Sequence, residues 1–366
     1  MGVKIRDIDL GDFPLLLAPM EDVSDPPFRA LCKRYGADMM YTEFISSEGL
    51  IRDAAKSLMK LDIYEYERPV GIQIFGNNIE SMIKTTEIVA KTNPDVIDIN
   101  YGCPVKKVAC KGAGAGILQD IPKMVEMTKK VVEATSLPVT VKTRLGWDES
   151  TKYIVDAAER LQDIGIEAIS IHGRTRKQMY KGEADWSLIA EVKNNPRMKI
   201  PVFGNGDITS PEKAVEYKER YGVDGVMIGR AAIGNPWFFN EVKQFVKDGT
   251  HRTPPTISER VAVTKEHIDM SIKWKGEILG INEIHVVRKG DIVFVDHPKY
   301  YDKALNSAAT TILINKNVDC PEGKSLLISD DPFRDFNKIT KHFNPFISSK
   351  VSISETAEIG ENTIIQ

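Results

Sequence analysis

Between residues 15 and 230 the chain repeats one pattern. Short apolar runs rich in Val and Ile lie at 15–20, 39–44, 70–76, 96–102, 138–144, 168–174, 201–206 and 225–230. They alternate with amphipathic stretches of helical period, among them 78–92, 121–135, 152–164, 211–221 and 236–248. Continuous apolar runs, each followed by a helix, predict parallel strands covered on both faces. Eight such units predict an α/β fold, a closed (β/α)8 TIM barrel, with an open doubly wound sheet as the alternative.

The runs stop at chemically useful residues: Met20, Glu43, Gln73, Asn100, Lys142, His172, Asn205 and Arg230. One polar strand end is ordinarily a cap or a buried group with a backbone partner. Eight in succession point to a shared site, because the carboxyl ends of barrel strands converge on one face.

After Asp248 the texture changes. Residues 249–256 form a turn-rich linker and 257–275 a helical stretch. A further module opens near Ile278, with short alternating strands at 292–295, 309–315 and 325–329. In the last stretch, 351–366, apolar residues recur about every six positions, the spacing of a β-helix, for one or two turns only. The expected organisation is a barrel over 1–248, a linker and partial helical segment over 249–277, a small α+β domain over 278–346, and the start of a left-handed β-helix over 347–366.

Composition narrows the function classes. The chain has 366 residues, 42% hydrophobic and 28% charged, and a net charge of −3. Bulk charge therefore announces no nucleic-acid binder, and any phosphate contact must come from a local patch. The four cysteines, Cys32, Cys103, Cys110 and Cys320, show neither a CxxC pair nor zinc spacing, so no metal site is expected. No signal-peptide pattern or membrane-length apolar run is present, and a cytoplasmic location is expected.

Three segments carry candidate chemistry. In NYGCPVKKV, Gly102 and Pro104 bend the chain and hold Cys103 at the barrel mouth, where a thiol serves as nucleophile or proton donor; the alternative is a buried structural thiol. VKTR and IHGRTR place Lys142, Arg144, His172, Arg174 and Arg176 on adjacent strand ends, an electropositive pocket suited to a developing anion. GNGD and IGRAAIGNP end the seventh and eighth runs, the phosphate position of many barrels.

APMEDVSDPPFR, NYGCPVKKV, VKTRLGW, IHGRTR, GNGDI and IGRAAIGNPW occur in order over about residues 5–275. Together they resemble the bacterial tRNA-dihydrouridine synthases. The resemblance implies FMN-dependent, NADPH-driven reduction of uridine in tRNA to 5,6-dihydrouridine. It implies that Pro19, Met20, Glu21 and Gln73 line the flavin, that Lys142 and His172 sit against its ring, and that Asn205, Gly206, Asp207, Gly229 and Arg230 hold its phosphate. Cys103 matches the proton donor, and Asn100 and Arg144 match positions facing the uracil, with Arg174 and Arg176 as further substrate contacts.

Beyond residue 278, GDIVFVDHPKY, the 309–315 run and SDDPFR resemble the N-terminal uridine-binding domain of UDP-3-O-acylglucosamine N-acyltransferase. That implies a UDP-sugar site with Phe294 and Tyr300 stacking on uracil, although His297 stands where an asparagine is expected. The acyl-transfer β-helix is absent, so no acyltransferase activity is expected. The synthases that the first part resembles continue into a helical domain that grips tRNA, and the resemblance stops about one helix into it, so tRNA binding is expected to be weakened. Two other functions stay open: a flavin reductase of a small molecule, or a protein whose tail only binds UDP-sugar.

Overall fold

The computed structural model describes residues 2–275, 280–281, 284–288 and 290–343. The chain divides into two compact units, the boundary falling after Ile268.

In the first unit the eight predicted runs are strands: β1 Leu15–Leu17, β2 Met40–Tyr41, β3 Val70–Phe75, β4 Val96–Tyr101, β5 Val139–Arg144, β6 Ala168–His172, β7 Val202–Asn205 and β8 Gly225–Ile228. Each neighbouring pair is parallel, in the order β1-β8-β7-β6-β5-β4-β3-β2. A parallel bridge between Leu16 and Met39 closes the ring, with Leu17 N–H donating to the Met39 carbonyl at 2.9 Å. The strand β2 is short because the chain breaks away after Tyr41 and rejoins β3 through Ile45–Ser46. The (β/α)8 barrel is thus the fold, not the open sheet.

Two apolar clusters follow from this closure. One lies between strands and helices and contains the outward residues of every strand, such as Ile72, Ile97, Ile99, Val141 and Ile171. The other fills the lower barrel interior with Leu16, Met39, Tyr41, Val96, Phe203 and Met227. An antiparallel hairpin, Lys4–Ile5 with Ile8–Asp9, adds Ile5 and Leu10 to that second cluster. Above it the inward positions turn polar, with Gln73, Asp98 and Thr140 fully or almost fully buried.

Helix starts are written locally. Asp25 caps Pro26–Arg34 by accepting from Phe28 N–H, and Ser210 caps Pro211–Tyr221 by accepting from Lys213 N–H. The first unit also takes in most of the helix Ile257–Lys275. Glu266 on that helix forms a bidentate pair with Arg34 at 2.6 and 2.7 Å.

The second unit holds a four-stranded parallel sheet in chain order: β9 Gly280–Ile281, β10 Asp291–Val295, β11 Thr311–Ile314 and β12 Ser325–Ile328. Val293, Val295, Ala304, Ala309, Ile312 and Ile314 form its core. Burial along β10 and β11 is nearly continuous, unlike the alternation expected there, because parallel strands are covered on both faces. The predicted β-helix start at 347–366 lies outside the described residues.

Candidate active site

A cavity of about 700 Å³ opens where the barrel strands end. Its wall includes Pro19, Met20 and Glu21 after β1, Asn100 and Cys103 at β4, Lys142 and Arg144 on β5, and His172 at the end of β6. Asn205, Gly206, Asp207, Gly229 and Arg230 complete it from the β7 and β8 ends. One face of the barrel thus gathers a thiol, a lysine, a histidine and two glycine-bearing turns.

The thiol is held by its backbone. Asn100 Oδ1 accepts from Gly102 N–H at 3.0 Å and from Cys103 N–H at 2.8 Å, forming a tight turn. Burial raises the Cys103 thiol above its ordinary value, against the lowering effect of a backbone hydrogen bond and Arg144. Cys103 therefore carries its proton at neutral pH, which suits a donor and not a ready thiolate.

On β5, burial and then the Arg144 charge bring the Lys142 ammonium down to about 8. Its hydrogen bond among the described residues is a long one, 3.3 Å to Asn205 Oδ1. Asn205 is itself fixed by donating to the Met227 carbonyl at 2.7 Å. Arg144 donates to the carbonyls of Gly102 at 2.7 Å and Met179 at 2.8 Å, so it ties the Cys103 turn to the loop after β6.

Burial comes first in holding His172 well below the usual imidazole range, with Arg144, Lys142, Arg174 and Arg230 adding to it. The ring is neutral at pH 7. Arg174 Nη1 lies 3.3 Å from Nε2, so Nε2 accepts and the proton sits on Nδ1.

Asp207 organises the opposite wall. It accepts two hydrogen bonds from Arg174, at 2.9 and 2.8 Å, and one from Ala184 N–H at 2.7 Å. Burial alone raises its carboxyl, but these partners outweigh that and hold it below its ordinary value. Gly206 precedes it at φ +121°, where an added Cβ sits 2.8 Å from Ala184 Cβ and 3.0 Å from His172 Cδ2. Arg230 is 3.7 Å from Asp207 and stands 5.1 Å over the ring of Tyr180.

Three predicted site residues are not on this wall. Gln73 is fully buried beneath it, bonded to Asp98 and Asn100. Arg174 lies behind His172 and is spent on Asp207 and the carbonyls of Lys181 and Gly182. Arg176 stacks its guanidinium 4.6 Å over Trp147. Sequence reading missed Tyr180 and Phe44, which line the cavity from loops. It also missed Asp98, whose signal was its i, i+2 spacing to Asn100 on β4. At the rim, Glu21, Asp22 and Glu43 cluster around Lys60, which is 2.5 Å from Glu21 and 3.9 Å from Glu43.

In the second unit Phe294 packs against Phe333 and Phe336, with ring centroids 5.6 and 4.8 Å apart. Tyr300 is exposed and tilts toward His297 at 6.1 Å.

A sequence profile described as dihydrouridine synthase matches residues 16–320. The chain belongs to the dihydrouridine synthase family. The tRNA-dihydrouridine synthase B of Pseudomonas putida is 40% identical over 268 residues, 73% of this chain and 79% of that protein. The same-named protein of Pseudomonas aeruginosa is 39% identical over 267 residues, covering 73% and 80%. That of Vibrio cholerae is 41% identical over 267 residues, covering 73% and 82%. This dihydrouridine synthase is therefore an oxidoreductase by family, and the match spans the whole barrel wall described above. Among the described residues, no helix is long and apolar enough to cross a membrane.

Proposed function

We propose that this chain reduces uridine in tRNA to 5,6-dihydrouridine, with FMN in the barrel cavity and NADPH as reductant, in the cytoplasm. The observation that carries the reading is the protonated, buried Cys103 thiol sharing a wall with Lys142, neutral His172 and the Gly206 and Gly229 turns.

The residues present fit an FMN-sized anionic group. The part-buried Lys142 ammonium has one long hydrogen bond, and an anionic group in the cavity would give it a further acceptor. Gly206 and Gly229 leave bare backbone where a phosphate needs close approach, and Arg230 adds charge. When bound, FMN supplies the hydride that reaches C6 of the uracil. The chain does the rest. Cys103 Sγ–H gives its proton to C5, so the base gains one hydride and one proton. Asn100 and Arg144 orient the ring, and Lys142 absorbs charge that develops on a uracil carbonyl. A base inside a helix reaches none of these groups, so the uridine must leave its stack. His172, with Nε2 already accepting from Arg174, serves as a neutral polar wall.

The test is a two-hydrogen mass gain in tRNA uridines on incubation with NADPH, lost in Cys103→Ala. Faster reduction of free uracil than of tRNA would instead favour a small-molecule flavin reductase.

For the tail, the reading rests on its resemblance to a uridine-binding domain. In this reading the UDP-sugar-binding domain comprises residues 278–346, the catalytic domain 1–248 and the partial tRNA-binding segment 249–277. Exposed Tyr300 is available to stack on a uracil, whereas Phe294 is engaged by Phe333 and Phe336. Titration with a UDP-sugar, followed by Tyr300→Ala, tests it; no heat or shift would remove the UDP-sugar from the partners of this chain.

A further inference from the structure

From beneath the cavity floor a run of hydrogen-bonded side chains leads up to the Cys103 turn. Thr140 Oγ1 donates to Asp98 Oδ1 at 2.6 Å, and Gln73 Nε2 donates to Asp98 Oδ2 at 2.6 Å. Gln73 Oε1 accepts from Asn100 Nδ2 at 2.8 Å. Asn100 Oδ1 then receives the N–H groups of Gly102 and Cys103, at 3.0 and 2.8 Å. The run crosses three neighbouring strands in register, Gln73 beside Asp98 and Asp98 beside Thr140. Thr140, Asp98, Gln73, Asn100 and Cys103 are all buried.

The order of donors matters. A side-chain amide offers hydrogens on one side and an oxygen on the other, so its neighbours decide which way it turns. An ionised carboxylate only accepts. Asp98 therefore draws the NH2 of Gln73, which leaves the Gln73 oxygen for Asn100, which in turn leaves the Asn100 oxygen for the Cys103 turn. Were Gln73 reversed, its oxygen would face the carboxylate and its NH2 would face another NH2. A carboxylate in so enclosed a place is costly to keep without hydrogen-bond partners, and here Gln73 and Thr140 supply them.

We propose that Asp98 and Gln73 are positioning residues for Cys103: through the ordered amides of Gln73 and Asn100 they fix the Gly102–Cys103 backbone and so aim the thiol into the cavity. This deepens, and rests on, the reading of Cys103 as the proton donor. It gives Gln73 a part in aiming the thiol.

The test uses the full-length chain with neither flavin nor tRNA. Amide hydrogen exchange is followed at Gly102 and Cys103, with Ile97 on the same strand as reference. Alkylation of Cys103 by iodoacetamide is measured against exposed Cys110 in the same molecule. Asp98→Leu and Gln73→Leu should each speed exchange at the two turn amides about tenfold, the worth of one hydrogen bond, and raise the Cys103:Cys110 alkylation ratio. Asp98→Asn should restore both, since its oxygen can face Gln73 while its NH2 faces Thr140. Gln73→Leu and Asn100→Ala combined should do no more than either alone. Unchanged exchange and alkylation in folded leucine variants, or additive effects, would overturn the proposal. If the leucine variants do not fold, Gln73→Met and Thr140→Val decide it by the same two readouts. A Cys103→Ala protein that still reduces tRNA would sink the proton-donor reading while leaving the exchange result standing.

Discussion

At Cys103 the barrel keeps a thiol as a thiol although Arg144 and Lys142 stand nearby, and at His172 it keeps an imidazole without charge, with four cationic side chains reinforcing that state. Burial decides both, since desolvation opposes the charged form of each group. Cys103→Ala should lower the rate of uridine reduction by about two to four orders of magnitude, the usual worth of a placed proton donor. Flavin content, read by absorbance, should not change. Asp98 makes a second residue-scale prediction. Burial pushes its carboxyl up to about 6, against the lowering effect of Gln73 and Thr140. A raised folded value means that its contribution to stability is fully present below the unfolded value near 3.8 and is lost as pH rises through about 6. The unfolding free energy from denaturant titration should therefore fall from pH 4 to pH 7 relative to Asp98→Asn, by on the order of 2 to 3 kcal/mol. A flat difference between the two proteins across that range would contradict it.

At the scale of elements, the turn after β7 depends on one aromatic. Trp186 donates from Nε1 to the Gly206 carbonyl at 3.1 Å, and a Cβ on Gly204 would fall 1.9 Å from its ring. Gly204→Ala should cost about 1–3 kcal/mol through overpacking. It should also displace the indole, visible as a shifted emission, and weaken FMN binding through the Gly206 turn. The strands themselves were legible in the sequence because most are buried, nearly unbroken apolar runs such as Leu15 to Leu17 or Val226 to Ile228. Their ends were less so. The first run was read to residue 20, but β1 stops at Leu17, just before Pro19, which has no N–H to give the ladder. Depth along a strand was also hidden. Gln73 lies two residues before the end of β3, one layer below Asn100 at the mouth, and alternation reports the face of a strand, not its height in the barrel. Arg174 lies past the end of β6 and folds back on Asp207, a loop contact that no periodicity encodes. Tyr180 had no signal for the same reason.

At the scale of the whole molecule, the cavity belongs entirely to the first unit. Saturating FMN at a hundred times its dissociation constant should stabilise the barrel by about 2.7 kcal/mol. In a thermal scan only the transition assigned to the barrel should move, and an equal shift of every transition would speak against separate units. With a net charge of −3, tRNA affinity must come from local cations and should fall steeply between low and moderate salt, while FMN retention changes little. The ring itself has one thin seam. Between β1 and β2 it is sewn by the Leu16–Met39 bridge, where β4 and β5 share a register five residues long. Breathing should start at that seam, with the Leu17 amide exchanging its hydrogen well before those of β4. Since Pro19 and Met20 hang from the same edge, such a hinge would widen the mouth without disturbing the thiol on the far side of the barrel.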